Sequence, residues 1–133
     1  MLLLAMVSIY GGQVTHYIPD RMKEGYGPNA PALLKLRGDG AKVVVTVDCG
    51  TTAHAPLEAA REAGLDVIVV DHHAAEAKLP PAFAVVNPNR MDETSAHGQL
   101  AAVGVSFLLA VALNRNGTPS AGLGSGTHSS RGA

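Results

Sequence analysis

Short runs of apolar, mostly β-branched residues place the strongest constraint on the fold of this chain. Lys42 to Val47 reads KVVVTV, Asp66 to Val70 reads DVIVV, and Ala84 to Val86 is a shorter third run. Strands that are apolar on both faces are typical of a parallel sheet covered by helices. Val14 to Ile18 is a fourth candidate strand. The sequence therefore predicts an α/β fold, a parallel sheet with flanking helices.

Helix-like stretches separate and follow these runs. The first is predicted from a cap at Asn29, with Pro31 in its first turn, to a stop at Gly38. The second spans Pro56 to Ala63. The third runs from about Gln99 to Asn114 and is apolar nearly all round, so it is expected to be mostly buried. The β-α-β-α-β order predicts a right-handed parallel layer.

The two ends of the chain differ from its middle. Met1 to Tyr10 looks like the end of a helix, and Asn116 to Ala133 is rich in Gly, Ser and Thr with one Leu. We therefore predict a partial domain over residues 1–115 and a disordered tail over 116–133, and expect the chain to be a truncated fragment. The apolar stretches Met1 to Ile9 and Leu100 to Leu113 are shorter than the roughly 20 residues of a membrane span. A soluble, cytoplasmic protein with no membrane partner is expected.

The amino-acid composition limits the kinds of molecule that the chain is expected to bind. Ten Lys and Arg against eleven Asp and Glu give a formal charge of −1, so any binding of nucleic acid must be local. An aromatic content of 4% without Trp leaves little material for a base-stacking platform. The single cysteine, Cys49, excludes an internal disulfide framework.

Polar residues follow two of the predicted strands directly. Asp48 ends the first run, and Asp71-His72-His73 ends the second. In open α/β sheets ligands bind beyond the carboxyl ends of the strands, so these side chains are expected to converge. Together they form an oxygen and nitrogen ligand set suited to Mn²⁺, Zn²⁺ or a related ion. The alternative is that each Asp only caps a helix and the His side chains are solvated.

The segment before the first predicted helix is a second candidate site. Gly25 and Gly27 would let the backbone around Tyr26 approach a ligand, and Arg21 could bind a phosphate oxygen. An ordinary loop with exposed charges is the alternative.

The ordered set of motifs resembles the DHH phosphoesterase superfamily, and within it the branch of single-stranded-DNA-specific exonucleases. The matching stretches are YIPDR with EGYG (Tyr17 to Gly27), TVDCG (Thr46 to Gly50), VVDHH (Val69 to His73), VVNPNR (Val85 to Arg90) and LAAVGVSFLL (Leu100 to Leu109).

This resemblance implies a two-metal phosphodiesterase, with Mn²⁺ or Mg²⁺, that digests single-stranded DNA from its 5′ end in repair and recombination. It implies that Asp48 and His72 are metal ligands, that His73 faces the scissile phosphate and that Asp71 orients the imidazoles. By the same resemblance Arg21 and the Gly25, Tyr26 and Gly27 loop contact nucleic acid. A single-strand-binding protein or a helicase would be a partner.

The sequence also departs from the family pattern. The family's Asp-x-Asp motif, a later metal-binding Asp and two companion domains have no counterpart, so we expect weak ion binding and an inactive fragment. One alternative is a pyrophosphatase, or an oligonucleotide or cyclic-dinucleotide phosphodiesterase, of the same superfamily. Another is a non-catalytic α/β fragment or nucleotide-binding module, but Gly38-Asp39-Gly40 precedes a strand where a phosphate loop would follow one.

Overall fold

The computed structural model describes residues 12–117. The helices and strands in this range are α1 (Arg21–Glu24), α2 (Ala30–Gly38), β1 (Val43–Val47), α3 (His54–Glu62), β2 (Asp66–Val70), β3 (Ala84–Val86) and α4 (Ala102–Asn116). The helix end predicted over Met1 to Tyr10 and all but the first two residues of the predicted disordered tail lie outside the described residues.

The sheet has the predicted parallel arrangement, with strand order β1-β2-β3. Val43 is the register partner of Asp66 and Val47 that of Val70, while Ile68 pairs with Ala84. The central strand is the most buried of the three, which its apolar sequence predicts. The α/β fold class is therefore confirmed, and β2 and β3 begin and end where predicted.

A compact apolar cluster joins the helices to the central strand. Its fully buried members are Leu33 of α2, Leu57 and Ala60 of α3, and Leu65, Val67 and Val69 in and before β2. Val67 and Val69 are two residues apart and therefore point to the same face of the strand. Asn29 caps α2 by accepting the Ala32 N–H at 2.9 Å, as its position predicts. Leu33, Leu57 and Ala60 thus pack α2 and α3 against one face of β2.

One prediction about a regular element is wrong. Val14 to Ile18 is not a strand; most of its side chains are exposed and none of its residues pairs with the three strands of the described sheet. β-branched residues favour a strand only where a neighbouring strand and a packed face exist. The connection from β2 to β3 carries Pro80 and Pro81, which cannot continue a helix, and it contains none.

The last helix is less buried than its composition predicts. Ala102, Val105 and Ala110 are buried, but Val103 is 78% exposed and Phe107 is 56% exposed. One stripe of α4 packs against β2, so the remaining apolar positions face outward. No helix between residues 12 and 117 combines the length and the apolarity that crossing a membrane requires.

Candidate metal centre

The parallel register brings the carboxyl ends of β1 and β2 to one edge of the sheet. Since Val47 pairs with Val70, the residues that follow, Asp48 and Asp71, begin at the same level. The Asp48 N–H donates to the Val70 carbonyl at 2.9 Å, and the Asp71 N–H donates to the Val86 carbonyl at 3.1 Å. The ladder hydrogen bonds thus continue through the two acidic residues and hold them side by side.

Asp48 and His72 approach each other most directly. Nε2 of His72 lies 3.0 Å from Oδ1 of Asp48. Two donor atoms bound at right angles to one cation through bonds of about 2.1 Å are themselves about 3.0 Å apart. Among residues 12–117, Asp48 is also the one non-glycine residue with a positive φ, which is 65°. Such a backbone conformation is strained and is enriched at functional sites. The pair therefore has a spacing that suits two ligands of one ion.

Asp71 lies beneath this pair as a buried carboxylate. It is 1% exposed. Its Oδ2 accepts the Thr51 N–H at 3.1 Å and the Thr51 hydroxyl at 2.7 Å, while Oδ1 accepts the His72 N–H at 2.8 Å. Burial by itself raises the pKa of Asp71, but the hydrogen bonds from Thr51, His73 and His72 outweigh it and lower that pKa to about 2. Asp71 is therefore a charged anchor whose oxygens are already engaged by the protein.

His73 completes the cluster. Its Nδ1 lies 2.6 Å from Oδ1 of Asp71, and its ring centroid is 4.5 Å from that of His72. One ligand atom from each of Asp48, Asp71, His72 and His73 lies within 4.8 Å of the others. Carboxylate oxygens with imidazole nitrogens suit Mn²⁺ and related ions, so the residues present fit a divalent cation. Asp48 and His72 would hold it, since the oxygens of Asp71 face its hydrogen-bond donors.

The loop between α1 and α2 reaches this cluster. The Tyr26 hydroxyl donates to the Asp48 carbonyl at 2.7 Å, and the Tyr26 and His73 rings meet edge to face at 6.1 Å. The Arg21 guanidinium lies 5.2 Å from the centroid of the Tyr26 ring. Gly25 and Gly27 flank Tyr26 with φ of 80° and 83°, where side chains are disfavoured. The structure thus brings both groups of sequence-predicted residues to one place.

Neutral polar residues that sequence reasoning missed support the two histidines from below. Asn87 is 3% exposed and donates through Nδ2 to the His73 carbonyl at 2.8 Å. Asn89 donates through its own Nδ2 to the His72 carbonyl at 2.5 Å. Thr51, which touches Asp71, is equally buried. An Asn-Pro-Asn triplet directly after a predicted strand was the signal that could have found the two amides.

Cys49 lies beside the cluster without joining it. Its Sγ contacts the Val47 carbonyl at 3.6 Å. Burial first, and then the charges of Asp71 and Asp48, raise the pKa of the Cys49 thiol to about 11. The thiol is therefore protonated at neutral pH and is a poor metal ligand.

Comparison with known families gives a match over nearly the whole chain. The model of the DHH family, N-terminal domain, matches residues 1–123.

Curated relatives share the name of one enzyme. The chain is 46% identical over 101 residues to the single-stranded-DNA-specific exonuclease RecJ of Bacillus subtilis, covering 76% of this chain and 13% of that protein. It is 41% identical over 110 residues to the RecJ of Escherichia coli, covering 83% of this chain and 19% of that protein. The chain thus spans about a fifth or less of the length of these relatives.

Solved structures resemble the fold as well. A crystal structure of exonuclease RecJ bound to manganese superposes with a TM-score of 0.73 at 34% identity, covering 89% of this chain and 30% of that one. RecJ from Thermus thermophilus in complex with Mn²⁺ gives a TM-score of 0.66 at 31% identity, covering 89% of this chain and 16% of that one.

Proposed function

Because this chain belongs to the DHH family, we propose that it carries part of the active site of a metal-dependent exonuclease that degrades single-stranded DNA from its 5′ end. The observation that supports this most is the 3.0 Å approach of His72 Nε2 to Asp48 Oδ1 at the carboxyl edge of the sheet. Relatives at 41–46% identity are named single-stranded-DNA-specific exonucleases, and two similar structures hold manganese.

Each residue of the cluster has a distinct proposed role. Asp48 and His72 hold a divalent cation, Mn²⁺ or Mg²⁺, which when bound activates a water and neutralises charge on the phosphate oxygens. Asp71 fixes the His73 imidazole through the contact of its Oδ1 with Nδ1, and it positions His72 by accepting that residue's backbone N–H. His73, whose side chain is half exposed, faces the scissile phosphate.

The loop around Tyr26 is the proposed contact with nucleic acid. Arg21 binds a phosphate oxygen, since its guanidinium is held beside the cluster by the face of the Tyr26 ring. Gly25 and Gly27 carry no side chains, so the backbone around Tyr26 is accessible to the DNA strand. Because Tyr26 also bonds the Asp48 carbonyl, a phosphate bound by Arg21 would lie next to the cation-binding side chains.

The proposed domain bounds, substrate and partners also follow from membership of the DHH family. The proposed functional unit is residues 1–115, within the matched range of residues 1–123. Single-stranded DNA is the proposed substrate, with repair and recombination in the cytoplasm as the setting. A single-strand-binding protein or a helicase is the proposed protein partner.

A segment exchange tests this function directly. The part of the Escherichia coli exonuclease that aligns with this chain is replaced by the chain's own residues, and Mn²⁺-dependent release of nucleotides from 5′-labelled single-stranded DNA is measured. We expect activity in the exchange protein and a loss of about 100-fold or more in Asp48→Ala and His72→Ala, since even residues that only support metal ligands contribute about 10–100-fold.

Matched controls separate the site from general damage. Asp66 is an exposed acid at the opposite end of β2, and His54 is a histidine at the start of α3 that pairs with Glu76 at 3.3 Å. Asp66→Ala and His54→Ala should keep activity, with circular dichroism confirming the fold of every variant. A folded exchange protein that hydrolyses pyrophosphate or a cyclic dinucleotide in preference to DNA would overturn the proposed substrate.

A further inference from the structure

We propose that Thr51 and Asn87 are positioning residues that fix His73 in the tautomer with its proton on Nδ1, so that Nε2 carries the lone pair. This inference deepens the proposed function, and its catalytic consequence rests on that function. The tautomer itself follows from counting donors and acceptors along the series of contacts from Asn87 through Thr51 and Asp71 to His73.

Asn87 determines which atoms donate and which accept along this series of hydrogen bonds. Its side-chain oxygen accepts the Asn89 N–H at 2.8 Å, and its Nδ2 donates to the His73 carbonyl at 2.8 Å. A backbone N–H can only donate and a carbonyl can only accept, so these two partners determine which end of the amide is which. The second Nδ2 hydrogen then goes to Thr51 Oγ1, which lies 2.9 Å away.

Thr51 accepts a hydrogen bond from Asn87 and donates one to Asp71. Its hydroxyl has one hydrogen. Because Oγ1 accepts from Asn87, that hydrogen is directed to Oδ2 of Asp71 at 2.7 Å. The same oxygen also accepts the Thr51 N–H at 3.1 Å. Oδ2 of Asp71 is therefore an acceptor only.

The other oxygen of Asp71 determines the tautomer. Oδ1 accepts the His72 N–H at 2.8 Å, so it too acts as an acceptor. A close contact of 2.6 Å between this oxygen and His73 Nδ1 then needs a hydrogen on Nδ1. In a neutral imidazole the lone pair is consequently on Nε2. Among residues 12–117, no hydrogen bond to that nitrogen is found, so it remains available to a ligand.

The consequence is a restriction on what His73 can do. With its lone pair on Nε2, the neutral ring presents an acceptor at that atom, and it cannot donate a hydrogen bond from Nε2 to a phosphate oxygen. Asn87 also holds the His73 carbonyl, so the same side chain controls both the position of the residue and the orientation of its ring. Both positioning residues are buried and offer no contact with a substrate themselves.

Nitrogen NMR of the 133-residue chain tests the inference without any nuclease assay. The chain is labelled with ¹⁵N-histidine, kept metal-free at neutral pH, and long-range proton–nitrogen spectra are recorded, with His73→Gln used to identify the His73 signals. We expect a pyrrole-type Nδ1 and a pyridine-type Nε2 for His73. The reverse pattern in the unmodified chain would overturn the proposal, whether or not any variant folds.

Variants assign the effect to the two residues. Thr51→Val removes, at nearly constant volume, the hydroxyl that holds Oδ2 of Asp71, so that the carboxylate can turn away from His73 Nδ1 and the two tautomers should mix. Thr51→Ser should restore the original pattern. Asn87→Leu should shift the populations in the same direction as Thr51→Val. Unchanged His73 signals in Thr51→Val or in Asn87→Leu would remove that residue from the proposed role, and the His54 signals serve as an internal control.

The exchange protein gives the catalytic readout. Thr51→Val should lower kcat about 10-fold or more with KM unchanged, and Thr51→Ser should recover it. An equal loss in Thr51→Ser would contradict a positioning role. If the exchange protein has no nuclease activity while the NMR pattern holds, the proposed function fails and the tautomer assignment stands.

Discussion

At the scale of single residues, the centre depends on one carboxylate that water does not reach. A buried carboxylate without partners is costly, and it normally takes up a proton. Asp71 avoids this because hydrogen bonds from Thr51, His72 and His73 converge on its two oxygens. The charge that results can orient imidazoles beside a cation, which a neutral acid could not do equally well.

Acid should therefore weaken the fold through Asp71. The pKa of this residue falls from an ordinary value of 3.8 to about 2 in the folded chain. Because its pKa is lower in the folded state, ionised Asp71 stabilises that state at pH values above its ordinary pKa of 3.8. This contribution disappears as the pH falls from about 4 to about 2. The shift corresponds to about 2 kcal/mol.

Urea unfolding of the chain and of Asp71→Asn as a function of pH measures this contribution. The free energy of unfolding should differ between the two proteins near neutral pH, and the difference should shrink by about 2 kcal/mol on going to pH 2. A difference that stays constant over this range would show that Asp71 carries no such linkage.

At the scale of elements, the turn from β1 to α3 needs a glycine. Gly50 has φ of +112°, and a Cβ there would lie 2.9 Å from Thr46 Oγ1 and 3.2 Å from both methyl groups of Val69. Thr46 in turn donates to the Cys49 carbonyl at 3.1 Å, so the turn is held on both sides. This tight passage sets the path of the chain from Asp48 to Thr51.

Two Gly→Ala variants test that claim as a matched pair. Gly50→Ala should lower the free energy of unfolding by about 1–3 kcal/mol, through overpacking and a strained backbone. Gly38→Ala, in α2 with no atom within 4 Å of the added Cβ, should raise it by about 0.5–1 kcal/mol. Chemical denaturation at neutral pH measures both. Similar values for the two variants would contradict a packing requirement at Gly50.

The regular elements were predictable to the extent that local chemistry determines them. The apolar runs identify β1 to β3, and Asn29 with Pro31 identifies the start of α2. The burial of α4 was not predictable, since Val103 and Phe107 are as apolar as the buried Val105, and only the packing partner decides between them. The same holds for Val14 to Ile18, whose strand-like composition has no partner strand in the described sheet.

The candidate centre was predictable from charged residues only. Asp48 and the Asp71, His72 and His73 run can be identified because charge follows apolar strands directly. Thr51 and Asn87 carry no charge and lie 36 positions apart, so nothing in the sequence links them until the fold brings them together.

At the scale of the whole molecule, charge balance makes a cation necessary for the proposed chemistry. A formal charge of −1 supplies no general attraction for DNA. The carboxylates of Asp48 and Asp71 would repel a phosphate, and Arg21 is the cationic side chain held beside them through Tyr26. Divalent ions bound at the edge of the sheet would reverse the local sign and let the strand approach.

The claim on which this account rests is that Asp48 and His72 share one cation, and electron–nuclear double resonance on Mn²⁺ tests it most directly. With ¹⁵N-histidine in the chain, we expect a nitrogen coupling to bound Mn²⁺ that disappears in His72→Ala and persists in His54→Ala, and weaker Mn²⁺ binding in Asp48→Ala. A bound Mn²⁺ without nitrogen coupling, or a coupling that survives in His72→Ala, would contradict the claim.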